Sequence, residues 1–285
     1  MTMIALFPNE LKLDSLKIAA EISTFLKDHQ IKVASEDAFA LNLDAIPLST
    51  IDPKQVDFRI SLGGDGTILR LVHRHPQILA PLLGINLGSL GFLADIPMDD
   101  IYPSLQLLLE GRFTIQNRMM MEGKTSKGDN CHAVNEIAIH RARNPCLIDL
   151  AIYVDGVYIN TFSADGMIVS TASGSTAYSL SAGGPILTPE LDAFVLTPIC
   201  PHTITNRPIV LLPKKEITLE YLNPLLPVEV YYDGISDFTL PTHCKLTVFA
   251  SKNRFQLVCL ENQKNYFSTL REKLGWQGRL KTSHS

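Results

Sequence analysis

A strand candidate over residues 56–62 stops abruptly at Gly63-Gly64-Asp65-Gly66-Thr67, and Ile68, Leu69 and Val72 then recur at helical spacing until Pro76. A strand that passes into a helix through a glycine-rich loop is half of a βαβ unit, and the helix has to pack back on the sheet. The preceding and following residues repeat the alternation. Residues 3–7 are a short apolar run. Leu16, Ile18, Ala19, Ile22 and Leu26 follow at helical spacing, residues 31–33 read as a second strand and 81–85 as a fourth. The expectation is a mainly parallel α/β sheet.

The texture changes after a further helix that begins at Asp99-Asp100, carries Ile101, Leu105, Leu108 and Leu109 on one side and ends at Gly111. Acidic residues suit its N-terminus and glycine its end. Beyond it, residues 134–140 alternate apolar and polar. Residues 150–154 and 157–162 flank Asp155-Gly156, a strong hairpin signal. Strand signals recur at 209–212, 217–221, 228–232, 246–250 and 256–260, with a second Asp-Gly at 233–234. Closely spaced strands of this kind indicate an antiparallel β domain. One helix interrupts it over 176–182, closed by Gly183-Gly184, and residues 267–276 read as a last helix, with a frayed end at 281–285.

Composition excludes several classes. With 46% hydrophobic and 19% charged residues the chain is globular rather than disordered. Its net charge of −4 is no footprint for nucleic acid. No apolar run reaches the ~18–20 residues of a membrane span, and the N-terminus lacks the basic and apolar regions of a signal peptide. Five scattered cysteines without a CxxC pair argue against a disulfide framework or zinc site and favour a cytoplasmic location.

Four segments carry candidate chemistry. In the Gly63–Thr67 loop, glycine lets the backbone adopt φ > 0 and approach a ligand, and the N–H groups at the next helix start form an anion site. A carboxylate there repels phosphate unless it has a metal or proton to handle, which suggests phosphoryl transfer with Asp65 facing the acceptor hydroxyl. The alternative is a tight turn whose Asp caps the helix. No GxxxxGK[ST] P-loop is present. Residues 84–93 (Gly-Ile-Asn-Leu-Gly-Ser-Leu-Gly-Phe-Leu) form a second glycine-spaced segment, equally a packing loop. Asn135-Glu136 lies on an expected strand, where neighbours face opposite ways unless the strand bends. Finally, residues 165–184 combine a strand, a hydroxyl-rich loop and a short helix. Seven Ser/Thr hydroxyls fall within residues 170–181, as ribose or base ligands or as helix caps. The loop has no GxSxG, and the histidines lack metal spacing.

Taken in order, these segments resemble the bacterial NAD kinase family: Gly-Gly-Asp-Gly-Thr at 63–67, Gly-Phe-Leu-Ala-Asp at 91–95, Asn135-Glu136, Asp165-Gly166, and the run from Thr171 to Pro185. Pro201-His202-Thr203 and Arg207-Pro208 complete the series, and the likeness runs to Gly275-Trp276. The Gly-Gly-Asp-Gly loop alone is shared with phosphofructokinases and with diacylglycerol and sphingosine kinases. The resemblance implies a Rossmann-like α/β domain over 1–101 and a β-rich sandwich over 102–255. A segment over 256–285 returns to the first domain. It implies ATP-dependent phosphorylation of the adenosine 2′-hydroxyl of NAD to NADP, with a divalent metal, Mg2+, carried on ATP and no protein-held metal. Asp65 is the implied proton acceptor. Gly63, Gly64, Gly66, Thr67, Arg70, Phe92, Asn135, Glu136, Asp165, Ser173, Thr176, Ala177, Tyr178 and Ser181 are the implied nucleotide ligands. The implied partners are NAD, ATP and further copies of the chain, as a homodimer or homotetramer, with neither nucleic acid nor membrane. Ser163 and Ile235 stand where relatives often carry a basic residue and a Gln. A lipid kinase and a non-catalytic dinucleotide sensor are the alternatives.

Overall fold

The computed structural model describes residues 2–88, 90–202, 206–224, 226–263 and 265–275. Ser89, Thr203, Trp276 and the expected frayed end at 281–285 lie outside them. The chain divides into two compact units, residues 1–116 with 256–285, and residues 117–255.

The first unit is built on parallel strands in the spatial order Ile46–Pro47, Lys32–Ser35, Met3–Pro8, Phe58–Gly63, Leu82–Asn86, with Leu257 paired beyond to Leu82. Met3–Pro8 is buried throughout, as a central parallel strand covered on both faces must be. Helix Leu13–Asp28 contributes Ala19, Ile22 and Leu26 to the core beside Ile4, Leu6, Ile60 and Leu83. Helix Ile101–Leu109 buries Ile101, Leu105, Leu107 and Leu108 in the same core. That burial moves the expected boundary from 101/102 to 116/117: the helix is apolar on the face it turns to this sheet and cannot leave it without exposing those side chains. Val258 and Leu260 also belong to this core. Helix Tyr266–Leu274 begins with the Asn265 side chain accepting from Ser268 N at 2.9 Å and ends at Gly275, whose φ is 63°.

The second unit is a sandwich. One sheet is antiparallel, in the order Ile209–Leu211, Phe194–Ile199, Gly166–Thr171, Glu136–His140, Val228–Tyr232, Ile235–Leu240. The other joins Val157–Ala164, Ile148–Val154, Ile217–Tyr221 and the first part of Lys245–Leu260. Met167, Val169 and Val230 from one sheet share a core with Leu150, Phe162 and Leu219 from the other. The Asp-Gly pairs expected as hairpin turns have positive φ, 51° and 76° at 155–156 and 49° and 82° at 233–234.

Several expected elements differ. The two strands at 246–250 and 256–260 are one strand, Lys245–Leu260, because its exposed polar middle, 252–254, is extended rather than turned. The helix over 176–182 is a 3-10 turn, Ser173–Thr176, and one α turn, Tyr178–Ser181, separated where Ala177 has φ −103° and ψ −128°. Phe194–Ile199 is a strand that Pro198 conceals. Its pairing to Ile209–Leu211 ends at Leu196, so the missing proline N–H interrupts no ladder on that side.

Candidate active site

In the first unit, helix Asp65–Arg74 starts immediately after Gly64 and presents its first turn beside the end of strand Phe58–Gly63. Asp65 does not cap this helix. Its carboxylate accepts three backbone N–H groups from a segment 27–29 residues away, Phe92 to Oδ2 at 2.8 Å, and Leu93 and Ala94 to Oδ1 at 3.0 and 2.9 Å. Each carboxylate oxygen has two lone pairs, so Oδ1 is filled by these bonds and Oδ2 keeps one site for a further donor. The second glycine segment is therefore the seat of the first loop's aspartate. Gly91 is required by close approach: a Cβ there would lie 1.8 Å from Asp65 Oδ1. Gly84 is required for the same reason, 2.5 Å from the Leu93 carbonyl oxygen.

The loop glycines divide. None of Gly63, Gly64 and Gly66 has positive φ, contrary to the conformational expectation. A Cβ on Gly63 would sit 2.7 Å from Thr67 Cβ, so the fold needs glycine there. A Cβ on Gly64 would meet nothing within 4 Å, and one on Gly66 only Arg70 Nη1 at 4.0 Å. Open space over glycines at a helix N-terminus is what a phosphate-bearing ligand uses. Thr67 Oγ1 accepts from Asn9 Nδ2 at 3.0 Å and lies 3.4 Å from Arg70 Nη2, leaving the exposed Arg70 guanidinium one turn beyond the loop. Phe92 packs near Tyr266, with Lys273 Nζ 5.3 Å from its ring centre.

In the second unit, Asn135 is not on a strand. It lies in a bend between strands Asn130–Ala133 and Glu136–His140, which removes the opposite-facing constraint on the pair. The Asp233 carboxylate accepts N–H from Val134 at 2.8 Å, Asn135 at 2.8 Å and Glu136 at 3.3 Å. The Asn135 carbonyl accepts Thr171 N at 2.8 Å, and Gly174 packs so closely that a Cβ would lie 2.2 Å from that oxygen. Glu136 is 9% exposed, and its Oε2 is buried without a hydrogen-bond partner. Burial first, and then the Asp233 charge, push its carboxyl up to about 8, against a lowering hydrogen bond from the Tyr178 backbone.

Of the seven hydroxyls in residues 170–181, four are structural. Ser170 donates to the Thr171 carbonyl, Thr171 to Val134, and Ser175 to Ala172, while buried Ser179 pairs with Thr197. The ligand candidates Ser173 and Ser181 take part in none of these bonds, and Thr176 bonds only locally, to the Ser173 carbonyl at 3.2 Å. Tyr178 is 41% exposed beside Ala177. Its hydroxyl is raised by partial burial and then by the neighbouring Cys200, Asp165 and Glu136 charges. Asp165 is held by Arg141, Nε to Oδ1 at 2.7 Å. Asn135, Glu136, Asp165 and Tyr178 are thus brought together. Asp233, which holds the first two, is not among the sequence candidates, because Asp-Gly signals only a turn.

The first unit carries an anchored carboxylate beside an open glycine loop, and the second gathers amide, carboxyl, hydroxyl and aromatic groups. Comparison with known proteins makes this specific. Residues 4–113 match the ATP-NAD kinase N-terminal domain family and residues 134–260 the ATP-NAD kinase C-terminal domain family. The NAD kinase of Protochlamydia amoebophila is 66% identical over 98% of this chain and 100% of its own, and that of Geobacter metallireducens 36% identical over 92% and 94%. Solved structures similar to this chain include two kinases. One is yeast NADH kinase complexed with NADH, with TM-score 0.85 and 25% identity over 100% of this chain and 90% of that one. The other is an NAD kinase from Archaeoglobus fulgidus in complex with ATP, with TM-score 0.75 and 26% identity over 95% and 99%. The chain belongs to the ATP-NAD kinase family.

Proposed function

We propose that this enzyme transfers the γ-phosphoryl group of ATP to the adenosine 2′-hydroxyl of NAD, giving NADP. The observation that carries this is Asp65. Its carboxylate is fixed by three N–H groups, retains one acceptor site on Oδ2, and stands at the start of a helix whose loop is open at Gly64 and Gly66. A carboxylate spent only on capping would not require Gly91 to make room for it. In this reading Asp65 orients the hydroxyl and accepts its proton. Gly63, Gly64, Gly66, Thr67 and Arg70 meet phosphates, and Phe92, Asn135, Glu136, Asp165, Ser173, Thr176, Ala177, Tyr178 and Ser181 hold the dinucleotide. Positioning and charge neutralisation supply most of the acceleration in such transfers.

A divalent metal, Mg2+, enters with ATP. Mg2+ is held mainly by phosphate oxygens and water. The chain works as a homodimer or homotetramer in the cytoplasm, and no described helix is long and apolar enough to cross a membrane. Incubation with ATP, Mg2+ and NAD should yield NADP. A lipid kinase would leave NAD untouched, and a sensor would bind it without turnover.

A further inference from the structure

We propose that Asp233 is a positioning residue for dinucleotide binding: its carboxylate draws the N–H groups of Val134, Asn135 and Glu136 together and so sets the direction of the Asn135 and Glu136 side chains. The inference rests on the reading of Asn135 and Glu136 as dinucleotide ligands. It goes beyond that reading by assigning a role to a residue 97–99 positions away that itself need not touch substrate.

The turn at 233–234 does not explain the aspartate. Positive φ at both centres is satisfied by Asn-Gly or Gly-Gly as well as Asp-Gly. What Asp adds is an acceptor-only, charged side chain. The bend at 134–135 takes consecutive N–H groups out of the strand ladder, and buried N–H groups need partners. One carboxylate supplies all three, with charge-assisted bonds stronger than neutral ones. The link is closed from the other side, because Asp233 N donates to the Glu136 carbonyl at 3.1 Å. The other Asp-Gly hairpin turn, at 155–156, provides the contrast. There the Asp155 carboxylate serves only the neighbouring Glu216 N–H and Lys215, at an exposed corner.

Asp233→Asn keeps the size and the turn but loses the charge and one acceptor atom. The test is steady-state kinetics and NAD titration of Asp233→Asn and Asp233→Glu, beside Asn135→Ala, Glu136→Ala and the double variant Asp233→Asn/Glu136→Ala. For Asp233→Asn we expect KM and Kd for NAD to rise roughly ten- to hundred-fold, the worth of lost charged hydrogen bonds, with kcat at saturating NAD changed only a few-fold and KM for ATP unchanged. Asp233→Glu, which keeps the carboxylate one methylene further out, should show a smaller rise. The double variant should bind NAD more weakly than Glu136→Ala alone but by less than the product of the two single effects, because Asp233 acts partly through Glu136 and partly through Asn135. A merely structural role would lower the folded fraction and leave KM for NAD unchanged. Wild-type NAD affinity in both Asp233 variants, with weakened affinity in Glu136→Ala, would overturn the proposal alone. Should Asp233→Asn not fold, unchanged affinity in Asp233→Glu does the same. Wild-type affinity in Asn135→Ala and Glu136→Ala would remove the underlying reading, and the proposal with it.

Discussion

In the proposed reading Asp65 has two duties on one carboxylate, holding residues 92–94 and serving the acceptor hydroxyl, and they can be separated. Asp65→Asn removes the base and should cost roughly 10²–10⁴-fold in kcat, the usual worth of a positioned general base, with NAD affinity little changed. Gly91→Ala leaves the carboxylate intact but puts a methyl group where Oδ1 stands, 1.8 Å away. It should lower kcat by a comparable factor in a protein that still folds, because a displaced carboxylate no longer meets the hydroxyl. A Gly91→Ala enzyme with wild-type turnover would show that the placement of Asp65 is not needed for the reaction. Glu136 gives a second measurement. Its carboxyl is raised from 4.5 to about 8 in the folded state, so the folded protein binds this proton more tightly than the unfolded chain does. The resulting stabilisation is complete below the unfolded value and is lost as pH rises toward about 8. The unfolding midpoint should therefore fall between about pH 4.5 and about pH 8, and Glu136→Gln should flatten that fall relative to wild type. Equal pH dependence in the two proteins would mean that Glu136 is ionised throughout. The same carboxyl should contribute roughly 1–3 kcal/mol to NAD binding, read as the change in Kd for Glu136→Ala.

At the level of the element, the strand–loop–helix unit predicts opposite outcomes for neighbouring glycines. Gly63→Ala forces a Cβ to 2.7 Å from the Cβ of β-branched Thr67, which has no rotamer escape. It should destabilise the protein by about 1–3 kcal/mol, as overpacking does. Gly64→Ala and Gly66→Ala meet open space at negative φ. Both should keep wild-type thermal stability or gain a few tenths of a kcal/mol, since alanine restricts the unfolded chain. Their cost should appear instead as a raised KM for ATP. Wild-type ATP kinetics in both would mean that the loop does not receive phosphates. This division is invisible in the motif, where all three glycines look equivalent. It comes from what each Cα faces across the fold.

At the scale of the molecule, the chain leaves its first unit at 116 and returns at 256, so the last strand segment belongs to a core begun at the N-terminus. Leu260→Ala should cost about 2–5 kcal/mol as a buried cavity, measured by denaturant unfolding. The whole enzyme also makes a sharp demand on its acceptor. An NAD analogue lacking only the adenosine 2′-hydroxyl should bind within about 1–2 kcal/mol of NAD, because one hydrogen-bonding group is gone. It should take no phosphate, whereas the 3′-deoxy compound should be phosphorylated. Phosphate on the 2′-deoxy compound, seen by mass spectrometry, would place the reacting oxygen elsewhere. Local chemistry made much of this legible in advance. Apolar periods and turn residues act within a few positions, so the strands at 3–7 and 56–62, the helix after Gly66, the Asp-Gly hairpins and the change from α/β to β-rich texture stand in the sequence alone. What the sequence left open are relations between distant backbones: the seat of Asp65 on residues 92–94, the bend that frees Asn135 from Glu136, the aspartate at 233 that holds it, and the single strand Lys245–Leu260. Those depend on which N–H groups lack a local partner and which carboxylate reaches them, and only the folded chain decides that.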